Sequence, residues 1–151
     1  MAIKEVLHTD LAPAAVGPYS QAIASNGFIY TSGQIPIDPA TGKIEATTIE
    51  EQTEQVMKNL QYVLAQGGVS FDRVVKTTCF LSDINDFAAF NGVYAKYFTE
   101  QAPARSCVQV AALPLGAKVE VEVILYLLVW LHFAYRKCHL LHCFFYRDHS
   151  M

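Results

Sequence analysis

The sequence predicts an α+β domain, a mixed sheet with two helices on one of its faces. Three observations carry this. Short runs rich in β-branched and aromatic residues punctuate the chain, two longer stretches between them have helical spacing, and no repeat or flexible linker divides the 151 residues. A chain of this length is about one ordinary domain and can bury a single sizeable core.

The elements follow in order. "YSQAIAS-NG-FIYTSGQI" reads as two extended runs around Asn26-Gly27, the strongest short hairpin signal a sequence offers, and "IDPATGK" follows as a Pro/Gly turn. Thr48 and Glu51 have capping-box spacing. Beyond them Ile49, Val56, Leu60, Val63 and Leu64 recur at helical intervals until Gly67-Gly68 ends the helix. "FDRVVKTTCFL" is β-branched and strand-like. "SDINDFAAFNGVYAKYF" reads as a second helix with Phe87, Phe90, Tyr94 and Phe98 along one side. "SCVQVA" is extended, "ALPLGAK" is a loop, and a last strand begins at Val119. The order is β-β-α-β-α-β-β. Two helices cover one sheet face, and one small domain has no further layer for the other. Self-association is the simplest cover.

Composition narrows the function. Hydrophobic residues make up 52% and charged residues 17%, which is globular rather than disordered. Residues 1–126 hold 8 Lys/Arg and 13 Asp/Glu, a net −5, whereas 127–151 hold three basic residues and one acidic, a net +2. An acidic body with no basic stripe is not the footprint of a nucleic-acid binder. The first fifteen residues have neither signal-peptide nor transit-peptide character, so a cytoplasmic location is expected, with an organellar origin left open. The cysteines at 79, 107, 138 and 143 form no CxxC pair and are expected to be reduced.

Conventional catalytic sets are missing. Residues 1–126 contain one histidine, His8, and no Walker loop, GxGxxG or paired Cys/His metal spacing. What remains is an arginine and a carboxylate. In "PARSCVQV" an extended chain puts Arg105, Cys107 and Gln109 on one face and Ser106, Val108 and Val110 on the other. A guanidinium cannot be deprotonated and is costly to bury unpaired, so Arg105 either pairs with Glu120 or Glu122 or holds an anionic ligand. In "KVEVEV" Glu120 and Glu122 share one strand face. Cys107, with no histidine partner, reads as a wall residue rather than a nucleophile, and Cys79 as core.

Four stretches together resemble one family: "APAAVGPYSQAI" (12–23), "YTSGQIPIDPATG" (30–42), "VVKTTCFLSDINDFAAFN" (74–91) and "APARSCVQVAALPLGAKVEVEVI" (102–124). In order and in spacing they are similar to the Rid family, also called YjgF or the translation-inhibitor/ribonuclease family, within its reactive intermediate deaminase A branch. The resemblance implies a homotrimer of chorismate-mutase-like subunits with pockets at the interfaces. It implies hydrolysis of 2-imino acids and their enamine tautomers to 2-oxo acids and ammonia, with no metal or organic cofactor. Carried over by motif, Arg105 grips the substrate carboxylate and Glu120 places the attacking water. Tyr19, Ser32 and Asn91 fall on pocket-lining positions, and the backbone at Gly33 and Cys107 contacts the ligand. Two other functions accompany the resemblance: RNA cleavage or translation inhibition, and non-catalytic metabolite binding by the same trimer.

The chain departs from the family after the last strand. Residues 127–151 continue it in apolar and aromatic character, where family members end within a few residues, so 1–126 is read as the domain and the rest as an extension from alternative splicing or read-through. The apolar run Val123–Leu131 falls short of the ~18–20 residues of a membrane span. "CHLLHC" (138–143) crowds four potential ligands into six residues, unlike the two separated pairs of a structural zinc site, and no metal is expected.

Overall fold

Asn26 and Gly27, at φ 52° and 78°, fix the first hairpin. Two successive positive φ values give the turn whose twist matches the flanking strands, which Asn-Gly tolerates at low cost. The structure is a computed structural model and describes residues 4–127. The hairpin joins β2 (Ala22–Ser25) to β3 (Phe28–Thr31), and the order continues α1 (Ile49–Gln66), β4 (Val74–Leu81), α2 (Phe87–Tyr94), β5 (Ala104–Gln109) and β6 (Val119–Tyr126). An edge strand, β1 (Glu5–Leu7), precedes them. The sequence reading has no strand there, because three residues are too few to show a period.

The six strands form one sheet in the order β1-β2-β3-β6-β4-β5. β4 and β5 are parallel and joined through α2, and every other pair is antiparallel. Both helices lie on one face, as expected. Val119, Val121, Val123 and Leu125 of β6 point toward them and are at most 1% exposed, meeting Val56, Met57, Leu60 and Leu64 of α1 in the core. Truncating a side chain such as Leu60 to Ala would cost about 2–5 kcal/mol. The capping box is formed: Glu51 N donates to Thr48 Oγ1 and Thr48 N to Glu51 Oε2. The Thr48 and Thr47 amides, both donating to Glu51 Oε2, hold its carboxyl below its usual range.

Two expected elements are shorter than read. The second helix, expected over 82–98, is α-helical only from Phe87 to Tyr94, with 3₁₀ turns at Ile84–Asp86 and Ala95–Tyr97 on either side. Asp83 accepts a bond from Asn85 N at 2.9 Å, the local side-chain bonding by which such residues compete with helix. "FDR" before β4 is likewise a 3₁₀ turn.

The other sheet face carries no layer among the described residues. Val6, Tyr30 and Val108 are 58%, 45% and 46% exposed on it, with Phe28 beside Tyr126. No helix among the described residues is long and apolar enough to cross a membrane. The apolar run past Leu127 and the "CHLLHC" cluster lie outside the described residues.

Candidate active site

The expected site residues fall into two groups on opposite faces of the sheet. Thr77 of β4 is in register with Arg105 of β5, and Phe80 of β4 with Glu120 of β6. Thr77 and Phe80 are three residues apart on one strand, so their partners face opposite ways. Arg105 is on the helix side and Glu120 on the open side. A structural ion pair between Arg105 and Glu120 or Glu122 within one chain is thereby excluded. Among the described residues Arg105 pairs with no carboxylate.

On the open side, Tyr19, Ser32, Gly33 and Glu120 line one cleft of about 500 Å3, with Pro114 and Leu115 on its rim. Gln34 and Val121 exchange backbone bonds at 2.9 and 3.1 Å, which brings Gly33 beside Glu120. A Cβ on Gly33 would overlap the Glu120 carboxylate, so only glycine leaves that carboxylate in place. Ser32 Oγ donates to Ser20 O at 2.6 Å. The Tyr19 phenol accepts from Val16 N at 3.2 Å, and its own proton remains free for a ligand. Burial pushes the Glu120 carboxyl above its usual pKa, and the negative charge of Glu122 on the same strand face pushes it further.

Buried amides hold this half in place. Asn59 of α1, fully buried, donates to Ile35 O and Ile37 O at 3.2 and 2.9 Å, anchoring the segment after Gly33. Gln52 accepts from Lys118 N at 2.8 Å, at the start of β6. Gln21, 2% exposed, takes Thr9 N and donates to the carbonyls of Thr9 and Pro13, which builds the cleft wall. The sequence reading missed all three amides, because a search for apolar periodicity passes over them. Their only signal is a polar residue on an otherwise apolar stripe.

On the helix side, Arg105 donates from Nη1 to Asn91 Oδ1 at 2.7 Å. Its guanidinium lies over the rings of Tyr94, Phe87 and Phe90, with centroids at 4.7, 5.4 and 5.9 Å. Asn91, Phe87, Phe90 and Tyr94 all belong to α2, so that helix supplies both the hydrogen-bond partner and the rings that meet the charge. That bond uses one of its five N–H donors, and the guanidinium makes no other hydrogen bond among the described residues. Cys107 is half-buried and in register with the fully buried Cys79. Burial raises the Cys107 thiol above its usual pKa against the opposing pull of Arg105, and raises Cys79 to about 12. The one histidine among the described residues, His8, sits far along the chain on Asp10. Cys107 is therefore not primed as a nucleophile.

A family model described as "Endoribonuclease L-PSP" matches residues 9–127. Over 121 residues the chain is 52% identical to "Reactive Intermediate Deaminase A, chloroplastic" of Arabidopsis thaliana, covering 80% of this chain but only 65% of that relative's length. It is 47% identical over 122 residues to "2-iminobutanoate/2-iminopropanoate deaminase" of Mus musculus, covering 81% and 90% of the two chains. Among solved structures it is similar to E. coli TdcF with bound serine, at a TM-score of 0.77 and 39% identity, covering 81% and 98%.

Proposed function

The chain belongs to the endoribonuclease L-PSP (YjgF/Rid) family, and from that premise we propose that it hydrolyses small 2-imino acids and their 2-enamino tautomers to 2-oxo acids and ammonia. The observation that carries the proposal is the separation of a carboxylate-free guanidinium and a half-buried carboxylate onto opposite faces of one sheet. Neither half is a site alone. A second copy, set against the open face, would bring its Arg105, Asn91 and Cys107 to the cleft holding Tyr19, Ser32, Gly33 and Glu120. A closed homotrimer repeats that contact three times and covers the exposed apolar face.

In such a site Arg105 takes the substrate carboxylate in its fork, which fixes the position of C2. Tyr19 and Ser32 supply further polar contacts, and the backbone at Gly33 and Cys107 faces the ligand. Glu120 removes a proton from a water as its oxygen bonds to C2, giving a carbinolamine. The carboxyl delivers that proton to nitrogen as the C2–nitrogen double bond becomes single, which completes the carbinolamine. Glu120 then takes the hydroxyl proton and passes it to the amine, the C2–nitrogen bond breaks, ammonia leaves, and the C2–oxygen bond becomes the carbonyl of the 2-oxo acid. Its raised pKa makes Glu120 a stronger base than a free carboxylate, and help of this kind is worth roughly 10²–10⁴-fold. An imine is already electrophilic, so no covalent nucleophile is needed.

Deaminase-named relatives support the reaction, and the bound serine of one relative supports a ligand of amino-acid size. The family description also carries the ribonuclease reading. The net −5 of residues 1–126 weighs against it. The test is release of 2-oxobutanoate and pyruvate from freshly generated 2-iminobutanoate and 2-iminopropanoate. Accelerated release that Cys107→Ser leaves within about twofold supports the proposal. Release at the uncatalysed rate would refute it.

A further inference from the structure

The Arg105 guanidinium meets no carboxylate among the described residues; its surroundings are an amide and three aromatic rings. The rings are not equivalent. Tyr94 is nearest, at 4.7 Å, and is 5% exposed. Phe90 is fully buried and farther away, and Phe87 is 37% exposed at the edge. Tyr94 alone is also tied to the sheet, its hydroxyl lying 2.8 Å from Oγ1 of the fully buried Thr77. Thr77 is in turn the register partner of Arg105 on the neighbouring parallel strand. The strand that pairs with the arginine's own strand therefore also fixes the ring against which the arginine lies.

We infer that Tyr94 is a positioning residue for anion recognition, its ring, pinned by Thr77, fixing the plane of the Arg105 guanidinium so that the fork is presented to a carboxylate. The physics favours this over simple core filling. A long arginine side chain loses considerable rotamer freedom when it must hold one plane, and a ligand that imposes the order bears that loss on binding. An aromatic face beneath the cation, shielded from water, orders it beforehand and leaves the edge donors unused. Asn91 takes one N–H at 2.7 Å, and a ring centred 4.7 Å from the guanidinium carbon restricts the rotations that remain. The apolar environment gives Arg105 no carboxylate with which a substrate would have to compete.

The inference deepens the proposed function and rests on it, because the ligand is the 2-imino or 2-oxo acid. The experiment uses the full chain and two readouts: binding of 2-oxobutanoate by calorimetry, and KM against kcat for 2-iminobutanoate. Tyr94→Phe keeps the ring and loses the tether, and is expected to weaken 2-oxobutanoate about twofold. Tyr94→Leu loses the stack and is expected to weaken it about tenfold, raising KM by a similar factor with a smaller change in kcat. Thr77→Val should reproduce the Tyr94→Phe effect and add nothing to it, since both cut the same bond. Phenylalanine analogues at position 94 bearing one to three ring fluorines keep the shape and weaken the negative face. They also give a reading if Tyr94→Leu does not fold. Affinity falling stepwise along that series supports the inference, and affinity flat within error overturns it. If the unaltered chain neither binds 2-oxobutanoate nor hydrolyses the imine, the proposed function itself has failed. If it does both and every variant at position 94 matches it, only the role of Tyr94 has failed.

Discussion

The two faces of the sheet solve opposite electrostatic problems. On the helix side a permanent cation sits among aromatic rings with one neutral amide as its partner. On the open side a carboxylate sits half-buried against backbone, its nearest charge another carboxylate, and its pKa is raised. Among the described residues neither charge meets an opposite one. A fold selected only for stability would pair them, and the register of β4 with β5 and β6 keeps them apart. The difference is what the proposed site between copies requires, each charge being left for a partner outside its own chain.

The sharpest way to break the comparison is Glu120→Gln, which keeps the shape and removes the base. The proposed mechanism expects kcat to fall about 10²–10⁴-fold. Stability should move the other way. Because the folded-state pKa of Glu120 lies above its unfolded value, ionisation opposes folding, and stability falls as pH rises through that window. The Gln variant should therefore melt higher at neutral pH, and the difference should vanish below both pKa values. A variant less stable at neutral pH would show that Glu120 is a structural acid.

Arg105 comes next. Arg105→Ala should lose about 10- to 100-fold in kcat/KM while still folding, and Arg105→Lys should recover only part, since a point charge does not reproduce the fork. Full activity in the lysine variant would mean that charge alone suffices. A smaller effect is expected at Glu122. Its charge raises the Glu120 pKa, so Glu122→Gln should lower it, and the acid limb of the kcat profile should shift to lower pH with the plateau nearly unchanged. A profile that does not move would remove Glu122 from the site's electrostatics. The smallest effect is expected from removing residues 128–151. Every proposed site residue lies before them, so activity should be retained. Loss of folding on truncation would make the extension part of the domain.

Legibility in the sequence followed the range of each signal. The Asn-Gly hairpin, the capping box and the Val/Glu alternation of β6 are local patterns, and the structure bears all three out. The residues proposed for the two half-sites, Tyr19, Ser32, Gly33, Asn91, Arg105, Cys107 and Glu120, all lie within the four motifs, whereas Tyr94, the ring nearest the guanidinium, lies outside them. What no local pattern could reveal was the side of the sheet on which each would stand, because strand order and register are long-range facts. Glu120 lies 15 positions after Arg105 in sequence, yet β4 stands between their strands and a register of opposite parity turns them apart. Gln21, Gln52 and Asn59 stayed hidden for a related reason. Each is a polar residue whose partners are backbone groups distant in sequence, and only the fold supplies them.

The central claim is that each site takes its guanidinium from one copy and its carboxylate from another. Arg105→Ala and Glu120→Gln chains, each impaired alone, can be given different tags, unfolded together, refolded, and purified through both tags in turn. The proposal predicts that the doubly purified trimers recover about a third of wild-type activity, because every mixed trimer joins an intact Arg105 to an intact Glu120 at one of its three interfaces. Mixed oligomers no more active than the mean of the two parents would contradict it and place the whole site within one chain.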